Sequence, residues 1–195
     1  YCLGKWVPHI NSTLYMPGCV MSLHMDVKAA RLQKLNLPMH FFVYGTLRDD
    51  DDSGAEWTAK WTENVAFACP AKVHGFKMYK SKKLNYPFAL RTDNANDEII
   101  GRFLRFPEHL FHRKLIEADE IEEFDDLRPD DEENEYVRDV VDVHLLSHSH
   151  DQPPVKKAIM YYQRSSISRL SECDEIPQGD WMKRHLLNNR LTSKL

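Results

Sequence analysis

Apolar residues fall in short, compact runs along much of this sequence, a pattern that predicts more strands than helices. The clearest run, from His40 to Tyr44, is rich in β-forming side chains and stops at Gly45, so a central strand is predicted to open there into a tight turn. Four further stretches have the composition of strands: Val65–Tyr79, which Pro70 and Gly75 interrupt, Glu98–Phe106, Tyr136–Leu146 and Lys156–Gln163.

Helical periodicity is confined to a few segments. Pro107 stands at a typical first position of a helix and Glu108 adds an acidic first turn, which predicts a helix from Glu108 to about Glu122. Shorter helices are predicted at Met25–Leu35, at Glu56–Trp61 and, capped by Asp180, at Trp181–Leu191. Trp57 and Trp61 are interpreted as core packing. Non-alternating strands with few helices indicate an α+β fold rather than a doubly wound sheet.

The chain divides into an extension and one domain. Its 195 residues suffice for one domain with an additional segment. Residues 1–38 show no sustained period of 2 or 3.6, so we interpret them as an N-terminal extension that is either poorly ordered or packed on the surface. Residues 39–195 are interpreted as the folded domain.

Composition narrows the classes of function. Hydrophobic residues make up 42% of the chain, enough for a core, and the formal charge is −4. This charge, without a basic cluster interleaved with aromatics, argues against nucleic acid or an anionic membrane as the main partner. No apolar run approaches the roughly 18 residues of a membrane span. The four cysteines lack CxxC spacing, which favours reduced thiols in a cytoplasmic protein over a zinc site or disulfides.

Glu122 is the most informative titratable residue. On a helical wheel Phe111, Leu115 and Ala118 form an apolar stripe, and Glu122 falls four residues beyond Ala118 within the same arc. A carboxylate directed at a core has a raised pKa, which suits a general acid or base working near neutral pH. The alternative stays open that the helix ends before Glu122 and leaves it in a solvated acidic loop.

The turn after the first strand is a second candidate site. A strand that runs into Gly45 leaves the successive backbone N–H groups of Gly45, Thr46 and Leu47 without partners. Such groups can hold a carboxylate. The aspartates that follow, residues 49–52, are interpreted as a solvated acidic loop.

Five short blocks occur in order between about residues 40 and 165. They are Phe41-Phe42-Val43-Tyr44-Gly45-Thr46-Leu47, Tyr86-Pro87-Phe88-Ala89, Ile99-Ile100-Gly101-Arg102-Phe103-Leu104, Asp119-Glu120-Ile121-Glu122-Glu123-Phe124-Asp125 and Tyr136-Val137-Arg138-Asp139-Val140-Val141-Asp142-Val143. Together they resemble the γ-glutamylcyclotransferase-like family, which includes the plant avirulence-induced proteins. Each block is weak alone, and their ordered agreement is what makes the resemblance specific.

The resemblance implies a mixed β-barrel and sheet flanked by a few helices, and an enzyme that acts on a small γ-glutamyl compound. In this reaction the α-amino group attacks the γ-carbonyl and releases 5-oxoproline and an amine or amino acid, with no metal, nucleotide or organic cofactor. The resemblance places the catalytic glutamate on Glu122. The substrate contacts it suggests, together with the residues themselves, are Tyr44, Gly45, Thr46, Leu47, Tyr86 and Arg138, with Tyr162 as a further wall residue.

Some positions depart from the family pattern or leave alternatives open. The glycine usual after the catalytic glutamate is Glu123 here, and the acidic residues 49–52 disfavour anionic substrates. Thr46 stands where glutathione-specific members tend to have serine. Arg138 either orients the substrate or Glu122, or pairs with the acidic run around Glu122. The alternative functions are a γ-glutamylamine (isopeptide) cyclotransferase and a non-catalytic small-ligand-binding or interaction module.

Overall fold

The fold is a closed five-stranded barrel with a three-stranded sheet beside it, seen in a computed structural model that describes residues 28–83, 86–146, 155–164 and 167–187. The strands are β1 (Phe41–Val43), β2 (Phe67–His74), β3 (Phe76–Ser81), β4 (Pro87–Arg91), β5 (Glu98–Arg105), β6 (Tyr136–Leu145), β7 (Val155–Gln163) and β8 (Cys173–Glu175). The helices are α1 (residues 28–32), α2 (Thr58–Thr62) and α3 (Glu108–Ile121). Three short 3-10 segments follow at Ile167–Glu172, Pro177–Gly179 and Trp181–Lys183.

The barrel has the strand order β1-β5-β2-β6-β7 and closes through one parallel contact. β1 pairs antiparallel with β5, where Phe41 lies opposite Leu104, and parallel with β7, where Phe41 lies opposite Ile159. A long antiparallel ladder joins β6 to β7, and the second sheet has the order β4-β3-β8. Strands and few helices in this arrangement confirm the predicted α+β class.

β1 is buried on both of its faces. Because side chains alternate along a strand, Phe41 and Val43 pack with α2 and α3, whereas Phe42 packs in a second cluster formed by the other face of the barrel. The rings of Phe41 and Trp61 meet edge to face with centroids 5.2 Å apart. This two-sided burial fixes the end of β1, from which the turn at Gly45 departs.

The two residues expected to interrupt the Val65–Tyr79 stretch behave differently. Gly75 adopts a φ of 76° and separates β2 from β3, as predicted. Pro70 lies inside β2, opposite Arg102 of β5. The Pro70 carbonyl accepts from the Leu146 N–H, so the Pro70 nitrogen also faces the β6 side of the strand, where the pairing of β2 with β6 ends. The missing N–H of proline therefore removes no hydrogen bond between β2 and β5.

The N-terminal segment is packed against the domain wherever the structure describes it. α1 lies within the predicted Met25–Leu35 helix, and the Leu32 side chain is 1% exposed within the core cluster that contains β1 and α3. Residues 28–38 therefore contribute to the core, and residues 1–27 of the predicted extension lie outside the described residues.

The predicted C-terminal helix is only partly realised. Asp180 caps a turn as expected, since its Oδ1 accepts from the Met182 N–H at 3.1 Å, but the turn is a 3-10 segment over Trp181–Lys183. Residues 188–191 of that prediction lie outside the described residues. Of the helices described, none combines the length and the apolar character needed to cross a membrane.

Gly101→Ala should destabilise the barrel, because a Cβ at Gly101 would lie 2.3 Å from the carbonyl oxygen of Val43 and 2.8 Å from the Phe42 ring. Overpacking of this kind typically costs about 1–3 kcal/mol. Urea unfolding of the variant and the wild type measures the difference. An unchanged unfolding midpoint would contradict the close approach of β5 to β1.

Candidate active site

A cavity of about 650 Å3 opens where β1 ends. Its wall is built from the turn after β1, from α2, from the C-terminal end of α3 and from the starts of β4 and β6. The lining residues are Phe42, Val43, Tyr44, Gly45, Thr46, Leu47, Trp57, Lys60, Trp61, Tyr86, Pro87, Glu117, Glu120, Ile121, Glu122, Glu123, Glu135, Tyr136 and Tyr161. All the sequence-predicted site residues except Arg138 and Tyr162 therefore share one cavity.

The turn at residues 44–47 is held in place by side chains of α2 and the residue before it. The Trp57 Nε1 donates to Thr46 Oγ1 at 3.1 Å, and the Thr58 hydroxyl donates to the Thr46 carbonyl at 2.5 Å. The Trp61 Nε1 donates to the Leu47 carbonyl at 3.0 Å in a buried contact. These three bonds satisfy acceptors of the turn and leave its N–H groups available.

The N–H groups of Gly45, Thr46 and Leu47 donate to no acceptor in the part of the chain that the structure describes. All three residues line the cavity. Consecutive unpaired N–H groups in a turn form an anion-binding concavity. The turn can therefore bind a carboxylate by backbone donors alone.

The Tyr86–Ala89 block supports the turn from the other side. The Ala89 N–H donates to the Tyr44 hydroxyl at 3.2 Å, so the phenolic proton of Tyr44 remains free to donate elsewhere. A Cβ on Gly45 would lie 2.6 Å from Cγ of Pro87, which leaves room for glycine alone at this position. The sequence blocks Phe41–Leu47 and Tyr86–Ala89 therefore pack against each other in the fold.

Glu122 sits at the end of α3, with its side chain in the cavity wall. The helix ends at Ile121, and Glu122 is its C-cap, with φ −90° and ψ 8°. Its backbone N–H donates to the Ala118 carbonyl at 2.9 Å. The helix thus ends one residue before Glu122, but the C-cap still directs Glu122 to the same side as the apolar stripe of α3. Glu122 is partly buried and does not lie in a solvated loop.

Burial in this wall, and then the negative charge of Glu135, raise the pKa of Glu122 from an ordinary value of 4.5 to about 8. Within the described residues, no hydrogen bond or ion pair reaches the Glu122 carboxylate. Glu122 lines the cavity and is half-buried, so the surrounding walls partly withdraw its side chain from bulk water. A carboxyl group in this setting can both accept and donate a proton near neutral pH.

Glu123 has the left-handed backbone conformation that explains the usual glycine at this position. Its φ is 50°, and the Phe124 N–H donates to the Asp119 carbonyl at 2.8 Å, which is the helix-ending pattern of a Schellman motif. A side chain in this conformation costs about 1–2 kcal/mol. Glu123 in place of the usual glycine therefore keeps the geometry of the turn but lowers the stability of the folded state.

Phenol groups surround the carboxyl of Glu122 and stay neutral. Burial, and then the charge of Glu122, raise the pKa of Tyr44. Burial, the neighbouring Tyr44 and Glu122 raise the pKa of Tyr136. The pKa of Tyr86 is raised by burial and then by the acids around it. These hydroxyls can act as hydrogen-bond donors in the cavity, not as bases.

Arg138 is the one predicted substrate contact that does not line the cavity. Its Nη1 lies 2.7 Å from both carboxylate oxygens of Asp119, and its guanidinium lies 4.7 Å from the Phe124 ring centroid. Asp119 is buried, so it holds Arg138 beneath the helix end. The structure therefore favours pairing with the acidic run over direct contact with a substrate.

The wall tyrosine on β7 is Tyr161 rather than the expected Tyr162. Tyr161 lines the cavity and donates its hydroxyl to Asp119 Oδ1 at 2.6 Å. Tyr162 points to the opposite face of the strand, with its ring 5.2 Å from that of Phe76 and 5.0 Å from the Arg91 guanidinium. Strand alternation places only one of two neighbouring residues in the cavity.

The aspartates at 49–52 lie in a largely exposed loop, as predicted, but each also has a polar partner in the fold. Asp49 accepts from Arg102 at 2.7 and 2.8 Å, and Asp50 pairs with buried Arg48 at 2.7 Å. The remaining pairs are Asp51 with the Trp181 indole N–H and Asp52 with Arg184. Because three arginines balance this charge, its expected effect on anionic substrates is weakened.

Several lining residues were not recognised in the sequence as parts of a site. Trp57 and Trp61 do pack in or against the core, but their indole N–H groups also fix the turn. Spacing alone shows that both lie on one helix face and cannot show what the indoles contact. Glu135 comes from the loop before β6, with no periodic signal. In the described ranges, no three potential metal ligands of the His, Cys, Asp or Glu type lie together.

Residues 41–183 match the sequence model of the family described as gamma-glutamyl cyclotransferase, AIG2-like. The chain belongs to this family, which indicates a cyclotransferase enzyme in general terms. A comparison with curated protein sequences finds no match.

Solved structures with a similar fold include three proteins of low sequence identity. YkqA from Bacillus subtilis is 18% identical with a TM-score of 0.49, over 78% of this chain and 42% of that one. A yeast γ-glutamyl cyclotransferase specific to glutathione is 13% identical with a TM-score of 0.45, over 66% and 69% of the two chains. A Mus musculus AIG2-like protein is 17% identical with a TM-score of 0.47, over 67% and 80%. The chain thus spans less than half the length of YkqA, and the family assignment depends on the sequence match.

Glu122→Gln should change how stability depends on pH. Because the pKa of Glu122 is about 8 in the folded protein against an ordinary 4.5, the folded state retains a proton that the unfolded chain releases. Wild-type stability should therefore fall relative to the variant as pH rises from 4.5 through 8, and the difference should level off above that. Urea unfolding at several pH values measures this. A pH-independent difference would show that the folded-state pKa is not raised.

Proposed function

We propose that this protein cyclises a γ-glutamyl compound to 5-oxoproline and releases an amine or amino acid. The supporting observation is that a carboxyl group with a pKa of about 8, on Glu122, shares one cavity with the unpaired N–H groups of residues 45–47. One group moves protons, and the other holds the carboxylate that every γ-glutamyl compound carries.

Proton affinities suit this reaction. An α-amino group has a pKa of about 8, so it is largely protonated at neutral pH and cannot attack a carbonyl in that form. Glu122 has a matching pKa of about 8, so a proton can pass between the two groups at little cost in free energy. Glu122 first accepts the proton of the amine and then donates it to the departing nitrogen.

The bonds balance without a second reactant. The α-nitrogen forms a bond to the γ-carbonyl carbon, and the bond from that carbon to the amide nitrogen breaks. The α-nitrogen changes from an ammonium to the lactam N–H and so loses two protons. Glu122 passes these one at a time to the departing nitrogen, which leaves as an ammonium group, so neither water nor a redox partner is consumed. Tyr44 and Tyr136 are neutral donors within the same cavity.

The turn contributes by folding the substrate. With its α-carboxylate held by the N–H groups of residues 45–47, the glutamyl chain can bend so that its amine approaches its own γ-carbonyl. Proximity of this kind lowers the barrier of an intramolecular reaction by on the order of 7–11 kcal/mol. The hydrogen bonds from Trp57, Thr58 and Trp61 keep the turn from relaxing when the carboxylate arrives.

Charge in the cavity favours a cationic leaving group. Beyond Glu122, the described lining carries the acids Glu117, Glu120, Glu123 and Glu135, against one lysine, Lys60. Negative potential in a partly enclosed cavity attracts cations. A γ-glutamylamine whose amine part carries a second ammonium group therefore fits better than glutathione, whose leaving group carries a carboxylate.

Wild-type protein should release 5-oxoproline from γ-glutamyl substrates, and Glu122→Gln should lower kcat by at least about 100-fold because the acid–base group is lost. Release is measured on a panel of γ-glutamyl dipeptides, glutathione, γ-glutamyl-butylamine and its diaminobutane counterpart. The last two differ by one terminal ammonium group, so a higher kcat/KM for the cationic member tests the charge preference directly.

Lys34→Gln is the matched control for this experiment, since Lys34 is exposed and lies outside the cavity. It should keep wild-type activity. If folded wild-type protein releases no 5-oxoproline from any member of the panel, the enzyme proposal fails and the ligand-binding module becomes the better explanation. Activity that survives Glu122→Gln would instead remove Glu122 from its role.

Glu135→Gln should move the acid limb of the kcat/KM profile to lower pH. The negative charge of Glu135 is the second cause of the raised pKa of Glu122, so removing it makes ionisation of Glu122 easier. Wild-type kcat/KM should rise with pH up to about 8, as Glu122 in the free enzyme loses its proton. A limb that stays at the same pH would show that Glu122 does not control the profile.

A further inference from the structure

The N-terminal helix α1 lies outside residues 41–183, which match the family, yet it packs under the end of α3. Leu32 is buried in the same core cluster as Leu115 and Ala118 of α3. This packing places the basic residues of α1 next to the chain segment that carries Glu122.

Two basic side chains of α1 reach acidic groups on either side of Glu122. The Lys28 Nζ lies 3.9 Å from Asp119 Oδ2 and 3.7 Å from Asp126 Oδ1. The Arg31 Nη1 lies 3.6 Å from Asp126 Oδ2, and its Nη2 donates to the Asp126 carbonyl. α1 therefore contacts both Asp119, three residues before Glu122, and Asp126, four residues after it.

Both aspartates are deeply buried, so the positive charges of Lys28 and Arg31 are needed to compensate their negative charges. The Asp119 side chain is fully buried and that of Asp126 is 3% exposed. Within the described residues, their remaining cationic partner is Arg138, which binds Asp119. Without Lys28 and Arg31, two buried carboxylates would share one cation, and uncompensated buried charge is strongly destabilising.

The same aspartates anchor the wall around Glu122. Asp119 accepts the hydroxyl of Tyr161, a cavity residue, and its carbonyl accepts the Phe124 N–H that ends the helix. A shift of Asp119 or Asp126 toward water would carry Tyr161 and Phe124 with it. Glu122, which lies between these anchor points, would lose its fixed position.

We propose that Lys28 and Arg31 are positioning residues for Glu122, supplied by a segment that the matched family residues do not include. This inference extends the proposed function, because positioning matters only if Glu122 moves protons. Among the described residues, the ion pairs and hydrogen bonds of Lys28 and Arg31 go to Asp119 and Asp126, so their effect on the cavity passes through these two aspartates.

The test compares Lys28→Gln, Arg31→Gln and the double variant with Lys34→Gln, which removes the same charge as each single variant from an exposed position nearby. In the double variant kcat should fall about 10- to 100-fold, since small displacements of a reacting group have effects of that size. KM should change by less than about twofold, because the turn that holds the substrate carboxylate is fixed by α2. Arg31→Lys, which retains the charge, should recover most of the loss of Arg31→Gln.

A second measurement does not require activity. Amide hydrogen exchange of Phe124, whose N–H is bonded to the Asp119 carbonyl, should accelerate about tenfold in the double variant. Exchange of the Ile159 N–H, which is bonded to the His40 carbonyl in the barrel, should stay at the wild-type rate. The single variants retain one α1 cation and keep the test usable if the double variant does not fold.

The outcomes separate this inference from the proposed function. Faster Phe124 exchange together with a selective loss of kcat supports positioning. Unchanged Phe124 exchange, equal acceleration at Ile159, or a loss no greater than that of Lys34→Gln overturns it. If the wild type is inactive on every substrate, the proposed function fails, and with it the positioning role, while the exchange data still decide whether α1 holds the segment around Glu122.

Discussion

The two-sided burial of β1 is the constraint on which the rest of this structure depends. Alternate side chains of Phe41–Val43 fill two different clusters, so the strand can neither slide nor rotate without exposing one of them. The turn at residues 44–47 therefore leaves the core at a fixed point. Hydrogen bonds from α2 and close packing of Pro87 then determine which of its backbone groups are satisfied and which remain available.

Much of this arrangement could be predicted from the sequence because it depends on local patterns. Compact apolar runs locate β1, β5, β6 and β7, and Pro107 with Glu108 marks the start of α3. β4 and β8 were not predicted, since β4 begins with a proline and β8 is short and acidic. The apolar stripe of α3 indicated correctly that Glu122 points inward, although the helix itself stops at Ile121.

The unpredicted ion pairs depend on contacts between distant parts of the chain. Asp49 pairs with Arg102 and Asp52 with Arg184, so the exposed acidic loop is also held by ion pairs to distant residues. Asp119 draws Arg138 beneath the helix rather than into the cavity. No sequence spacing signals such pairs, because each joins separate elements that only the tertiary fold brings together. Composition shows which charged residues are present, whereas the fold determines which of them form ion pairs.

The parallel contact between β1 and β7 has a consequence for the order in which the protein forms. Phe41 closes the barrel against Ile159, so β1, near one end of the domain, cannot complete its pairing until β7, near the other end, is in place. Contacts between residues so far apart in sequence slow folding, because the chain loses loop-closure entropy before the contact forms and stabilises the fold. During synthesis, β1 emerges long before β7 and so stays without this strand partner. The donor-rich turn is therefore expected to be among the last parts of the molecule to reach its working geometry.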